Sequence, residues 1–193
     1  MSAPDLLTHL VVGNSAPAWR DPDEGWLSYG ELAQRVARLA KAYPSGRQLI
    51  YLPFVTSTRH LLHYLLALRD GHAVMLADPA QDEETRRALC ERFGASLVVT
   101  AEGCLVHLGE APALHPELAL LLPTSGSTGS SKWVRISRNS LNANAAAIAE
   151  YLALDSAERA ITSLPLFYSF GMSVLNSHLL VGASLVQLSL IHI

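Results

Sequence analysis

The sequence predicts an α/β fold: helices layered on a largely parallel sheet. Three observations predict it. Short apolar runs alternate with helical stripes along most of the chain, the pattern of a parallel sheet with crossover helices. Several of those runs are continuously apolar, as buried strands are. The 193 residues are 50% hydrophobic and 16% charged, enough apolar material to build a real core.

Each element follows from local chemistry. "GWLSYGELAQRVARLAKAY" reads as a helix entered through Ser28, with Glu31 three residues on forming a capping box. Leu32, Val36 and Leu39, with Ala33, Ala37 and Ala40, make its apolar stripe. "RQLIYLPF" is a buried strand. "TSTRHLLHYLLALRDG" is a helix with Leu61, Leu62, Leu65 and Leu66 on one face and Gly71 as its stop. "HAVMLAD" is a strand and "PAQDEETRRALCERFG" an amphipathic helix ending in glycine. "ASLVVTAEG" and "CLVHLGE" are strand-like, and Leu108–Glu117, with two prolines, is a loop. "LALLLPT" and "WVRIS" are strands, "RNSLNANAAAIAEYLAL" is an Ala-rich helix, and "RAITSLPL", "GMSVLNSHLLVG" and "ASLVQ" read strand, helix, strand.

Composition excludes some functions. A net charge of −3 gives no global field for nucleic acid. After Arg159 no Asp, Glu, Lys or Arg occurs, yet Pro165, Gly171, Asn176, His178 and Gly182 interrupt the stretch, so no membrane-spanning run forms. The N-terminus lacks the basic region of a signal peptide. Cys90 and Cys104 lack CxxC spacing and read as reduced thiols, so the chain is expected to be cytoplasmic. His60 and His63 stand three apart on a helix without an evident third ligand, and the expected setting is a solvated face with no metal. Glu83, Glu84, Arg86 and Arg87 form an exposed charge cluster.

The most unusual stretch is "PTSGSTGSSKWVRIS", Pro123–Ser137, in which Thr124 to Lys132 are all Gly, Ser, Thr or Lys. Gly126 and Gly129 can take positive φ, letting successive amides converge on one spot. Ser125, Ser127, Thr128 and Ser130 add hydroxyls, and Lys132 adds a charge on a flexible stem. That donor set suits a polyphosphate. A Walker loop is excluded because no glycine precedes Lys132, and a nucleophile elbow because "GSTG" is one residue short.

"TSGSTGSSK" resembles the phosphate-binding signature T-S-G-[ST]-T-G-x-P-K-G of the adenylate-forming (AMP-binding) superfamily. Thr124–Gly129 and Lys132 match. Ser131 stands where proline is usual and Trp133 where glycine is usual. "LPLFYSFGMS", Leu164–Ser173, resembles the family segment P-[LM]-x-[HY]-x-x-G that opens the acyl pocket. "LSYGELAQRVARLA" and "LLALRDGHAVMLADP" resemble the family's opening helix and the crossover after it.

The resemblance implies the N-terminal portion of the large domain of such an enzyme. It implies ATP-dependent activation of a small-molecule carboxylic acid to an acyl-adenylate, then thioester formation. The implied cofactors are ATP with Mg2+, and coenzyme A or phosphopantetheine as thiol acceptor. The implied partners are the acid and an acyl or peptidyl carrier protein. Thr124, Ser125, Gly126, Ser127, Thr128, Gly129 and Ser130 would grip the phosphates, Lys132 would serve catalysis by neutralising them, and Tyr168, Phe170 and Gly171 would border the substrate pocket. Asn176 and His178 are read as satisfied core residues.

The last six residues, "LSLIHI", read as codons CTG TCT CTT ATA CAC ATC, reproduce a transposase adapter used for sequencing libraries. The expected division is therefore native sequence at 1–187 and adapter at 188–193. The family's adenine, ribose and catalytic-lysine motifs do not occur in the chain. It is thus expected to be an inactive piece of a ligase. A non-catalytic nucleotide- or anion-binding protein, or a truncated product that does not fold stably, is the alternative.

Overall fold

The structure, a computed structural model, describes residues 5–124 and 132–188. Among the described residues, ten strands and five α-helices follow in the order β1 (Pro17–Asp21), β2 (Gly25–Ser28), α1 (Tyr29–Leu39), β3 (Leu49–Pro53), α2 (Thr58–Asp70), β4 (Ala73–Ala77), α3 (Glu83–Phe93), β5 (Leu97–Val99), β6 (Leu105–His107), β7 (Leu118–Pro123), β8 (Trp133–Ser137), α4 (Arg138–Tyr151), β9 (Arg159–Ile161), α5 (Ser169–Val181) and β10 (Ser184–Val186). The α/β class and every strand and helix named from the sequence are present. The β1–β2 hairpin was not foreseen, because "APAWRD" carries too little periodicity to stand out.

The strands form two sheets. The larger has the order β6-β5-β3-β4-β7-β8, the smaller β2-β1-β10-β9. β5, β3, β4 and β7 run parallel, as do β1, β10 and β9. Antiparallel pairing is confined to β2, β6 and β8, all at sheet edges.

Burial on both faces explains the continuous apolar runs. Along β3, Ile50 and Leu52 face one core, and Leu49 and Tyr51 face another. The larger core joins Trp19 and Leu185 of the small sheet to Ile50, Val74 and Leu120 of the large one, through Leu32, Leu65, Leu141 and Leu175 of α1, α2, α4 and α5. These four helices lie between the sheets. The second core backs the large sheet with Leu89 and Cys90 of α3.

Local signals close the helices. Ser28 Oγ accepts from Glu31 N (3.1 Å) and Glu31 Oε2 accepts from Ser28 N (2.7 Å), completing the capping box. α2 stops at Gly71, whose φ of +76° is costly for residues with a β-carbon.

His60 and His63 correct an expectation. They are not on a solvated face but buried, 1% and 2% exposed, where α2 packs against the β5–β6 turn. His60 bonds Ser57 Oγ and Thr100 O through its two ring nitrogens, and His63 bonds Tyr43 Oη and Gly103 O. Each ring is neutral and fully partnered. Burial takes the His63 imidazole down to about 4 and lowers that of His60. Among the described residues no group of three His, Cys, Asp or Glu could hold a metal, and no helix is long and apolar enough to cross a membrane.

Cys90 and Cys104 are free thiols. In α3, Glu83 pairs with Arg86 and Arg87 lies 3.8 Å from Glu91, at the surface as expected.

Candidate functional site

β7 is a central strand of the large sheet, parallel to β4 and antiparallel to β8. The hairpin register pairs Leu122 with Val134 and Pro123 with Trp133. Beyond the last pair, Thr124 N and Thr124 Oγ1 both donate to Lys132 O, at 2.8 and 3.1 Å. β7 and β8 thus pair as the two arms of a hairpin, and Thr124 and Lys132 close its neck. The Lys132 side chain is exposed. Ser125, Gly126, Ser127, Thr128, Gly129 and Ser130, the predicted phosphate-gripping residues, lie outside the described residues, as does Ser131.

Side chains from elsewhere hold this hairpin. Arg47 donates to Gly71 O and His115 O, both at 2.6 Å, and also to Leu118 O at the start of β7. Arg138, directly after β8, donates to Leu68 O (2.7 Å) and to Asp5 Oδ1 (2.8 Å). On the exit side, the Trp133 ring meets Phe93 of α3 edge-on, centroids 5.8 Å apart. Trp133 Nε1 is buried with no hydrogen-bond partner among the described residues.

Parallel α/β sheets bind ligands beyond the carboxyl ends of their strands. At that edge a cleft of about 360 Å³ opens between the two sheets. Phe54, Val55 and Thr56 after β3 and Pro79 after β4 line one side; Thr162 and Ser163 after β9 and Gln187 after β10 line the other. Leu164, Pro165, Phe167 and Leu188 complete it. No charged side chain lines the cleft among the described residues. Gln187 Oε1 is buried without a partner among them. Because β7 is parallel to β4, its hairpin neck emerges at this same edge.

The predicted pocket residues fall in three settings. Gly171 is buried in the first turn of α5, beneath the Leu164–Pro165 segment that lines the cleft. A β-carbon there would stand 2.9 Å from Pro165 C and closer still to its oxygen, so only glycine fits. Tyr168 caps α5 with its backbone, 44% exposed, its ring 4.5 Å from that of Phe167. Phe170, 67% exposed, lines a separate groove between α4 and α5 with Ile148, Tyr151, Leu152 and Val174. The cleft thus includes Phe167, beside the predicted Tyr168, and not Tyr168 or Phe170 themselves.

Asn176 accepts from the buried Tyr64 hydroxyl at 2.9 Å, and His178 Nδ1 bonds Val174 O at 2.8 Å. Both are satisfied within the packing, as expected. Thr56, Thr162, Ser163 and Gln187 were missed; the available signal was their place just after parallel strands.

Comparison with known proteins agrees with this geometry. A family model described as AMP-binding enzyme matches residues 105–190. Nonribosomal peptide synthetase 5 of Gibberella zeae is 26% identical over 188 residues, covering 81% of this chain and 2% of that protein. Nonribosomal peptide synthetase sidE of Aspergillus fumigatus is 28% identical over 159 residues, covering 72% of this chain and 8% of its own length. The fold matches ATP-bound MatB from Rhodopseudomonas palustris (TM-score 0.71, 22% identity, 97% of this chain and 45% of that one). It also matches the O-succinylbenzoate coenzyme A synthetase MenE from Bacillus subtilis in complex with AMP (TM-score 0.75, 18% identity, 95% and 55%). This chain therefore spans a small part of the curated relatives and about half of the solved ones. The family match over residues 105–190 and the shared fold agree with the resemblance of the loop and pocket motifs to the adenylate-forming, AMP-binding superfamily.

Proposed function

We propose that this chain is the ATP-gripping part of a ligase that activates a carboxylic acid as its adenylate and passes it to a thiol. The observation that carries the reading is the hairpin neck. Two bonds from Thr124 to Lys132 O hold together, at the carboxyl edge of the parallel strands, the two residues that flank the hydroxyl- and glycine-rich sequence. A carboxylate and a triphosphate repel, and charge builds on the departing pyrophosphate. Fixed donors and an ammonium directed at that charge lower the barrier.

In this reading Ser125, Gly126, Ser127, Thr128, Gly129 and Ser130 hold the phosphates, with Thr124 supporting the turn. Lys132 neutralises the developing charge. The donor set fits ATP: backbone amides, hydroxyls and one lysine, followed in sequence by Trp133, whose indole N–H has no partner among the described residues. ATP supplies the adenylyl group and the pyrophosphate leaving group, and Mg2+ would accompany it. Gly171 keeps Leu164 and Pro165 in place along the acid's cleft, with Tyr168 next to the cleft-lining Phe167 and Phe170 in the neighbouring groove. The uncharged lining supports an apolar acid over a charged one. The peptide synthetase relatives support a carrier protein's phosphopantetheine arm as acceptor, with coenzyme A the other candidate. The 193 residues are read as one portion of such an enzyme, with 1–187 native, and without turnover by themselves.

The test is ATP–pyrophosphate exchange over a panel of carboxylic acids, in the protein encoded by the complete locus. Exchange dependent on one acid class, lost in Lys132→Ala while the fold melts unchanged, is the expected result. Pyrophosphate binding without exchange for any acid would replace the ligase with a non-catalytic nucleotide- or anion-binding protein. Exchange unaffected by Lys132→Ala would remove Lys132 from the site.

A further inference from the structure

We infer that Trp133 is a positioning residue for Lys132; this rests on the reading above that Lys132 meets phosphate. The side chain of Lys132 is exposed and has four rotatable bonds, so little in its surroundings can pre-set the ammonium except its own backbone. That backbone is held twice at the peptide joining it to Trp133. Lys132 O accepts from Thr124 N and Thr124 Oγ1 at 2.8 and 3.1 Å. The very next side chain, partly buried, packs against α3, its ring edge-on to Phe93 with centroids 5.8 Å apart and on the same core as Leu114 and Leu118.

The superfamily signature has glycine after this lysine, as the motif comparison set out. Glycine would keep the Thr124 bonds and the pairing with Pro123 but would lose the side-chain anchor, and it has the largest backbone freedom of any residue. In this chain an aromatic ring replaces that freedom. The usual proline before the lysine is also replaced, by Ser131, so the restraint that proline would supply on the N-terminal side is absent here. Trp133 provides restraint from the C-terminal side instead, through α3. It acts on phosphate only through Lys132.

The experiment is a double-mutant cycle on the 193-residue chain, with inorganic pyrophosphate as probe and calorimetry as readout. Trp133→Gly is expected to weaken binding about tenfold, the scale of freeing one backbone position, and Trp133→Phe to restore it to within about twofold because an aromatic edge contact is kept. In a Lys132→Ala background, Trp133→Gly is expected to change nothing further. A purely structural role would instead weaken binding in both backgrounds alike, and that result overturns the inference. So does a Trp133→Gly chain that binds as tightly as the parent. If Trp133→Gly does not fold, Phe93→Ala, which removes the other half of the contact at a distance from the lysine, is put through the same cycle with the same two criteria. Failure of the parent chain to bind pyrophosphate overturns the phosphate reading itself, and the role of Trp133 with it. Binding that Lys132→Ala weakens and Trp133→Gly leaves intact overturns only the role of Trp133.

Discussion

Replacing Gly171 by alanine separates packing from propensity, because the two push in opposite directions. Alanine in place of glycine in a helix is favourable by about 1 kcal/mol. At this site the added β-carbon would lie 2.9 Å from Pro165 C and 3.1 Å from Leu164 O, and closer still to Pro165 O. All are backbone atoms, and Pro165 O also accepts from Tyr168 N at 3.3 Å, so none can rotate aside as a side-chain end would. Ordinary contact begins near 3.4 Å, so α5 and the Leu164–Pro165 segment must part by half an ångström or more. Overpacking of this kind costs about 1–3 kcal/mol, and the rigidity of the partners puts it at the upper end. The net expected loss is about 2 kcal/mol, a fall of roughly 4–8 °C in melting temperature for a chain of this size. Circular dichroism melts of the parent and Gly171→Ala chains measure it. A Gly171→Ala chain that melts at or above the parent would show that helix propensity governs the site, and would refute the close approach of α5 to the cleft-lining segment.

Two further predictions rest on burial. His60, His63 and His72 are all held below the ordinary imidazole value by burial, His63 at about 4. The folded state therefore favours the neutral rings, and the unfolded chain takes up protons first as pH falls through about 6.5. Stability is full above that value and is lost as pH drops toward 4, with His63 alone contributing a loss of about 3 kcal/mol at its completion. Urea midpoints are expected to fall between pH 7.5 and 5 and to fall less in His63→Gln; a flat profile would contradict the buried, neutral pair. Burial also pushes the Cys90 thiol up to about 11, whereas Cys104 is exposed. A chromogenic disulfide reagent at neutral pH is expected to label Cys104 quickly and Cys90 only after denaturant is added, and rapid labelling of both would place α3 away from the sheet.

Much of this protein follows from local rules. The Ser28–Glu31 box, the glycine stops and the continuously apolar strands are each decided within a few neighbouring residues, so α1 and the central strands could be read directly. The glycine-serine sequence between two strands, and the lysine that ends it, were likewise legible as a motif. What no local rule could give was the company each segment keeps. The histidines of α2 look solvated because a helical spacing of three says nothing about the β5–β6 turn that arrives some forty residues later to cover them. The division into two sheets, and the "APAWRD" strand that joins β10 to β2, depend on pairings across most of the chain length. Tyr168 and Phe170 sit beside Phe167 in sequence, yet the turn into α5 sends Phe167 to the cleft and Phe170 to another groove. Side-chain chemistry along the chain determined which segments become helix and strand. Only long-range packing, where solvent exclusion and hydrogen-bond satisfaction are settled by residues far apart in sequence, decided which faces are buried and which residues meet.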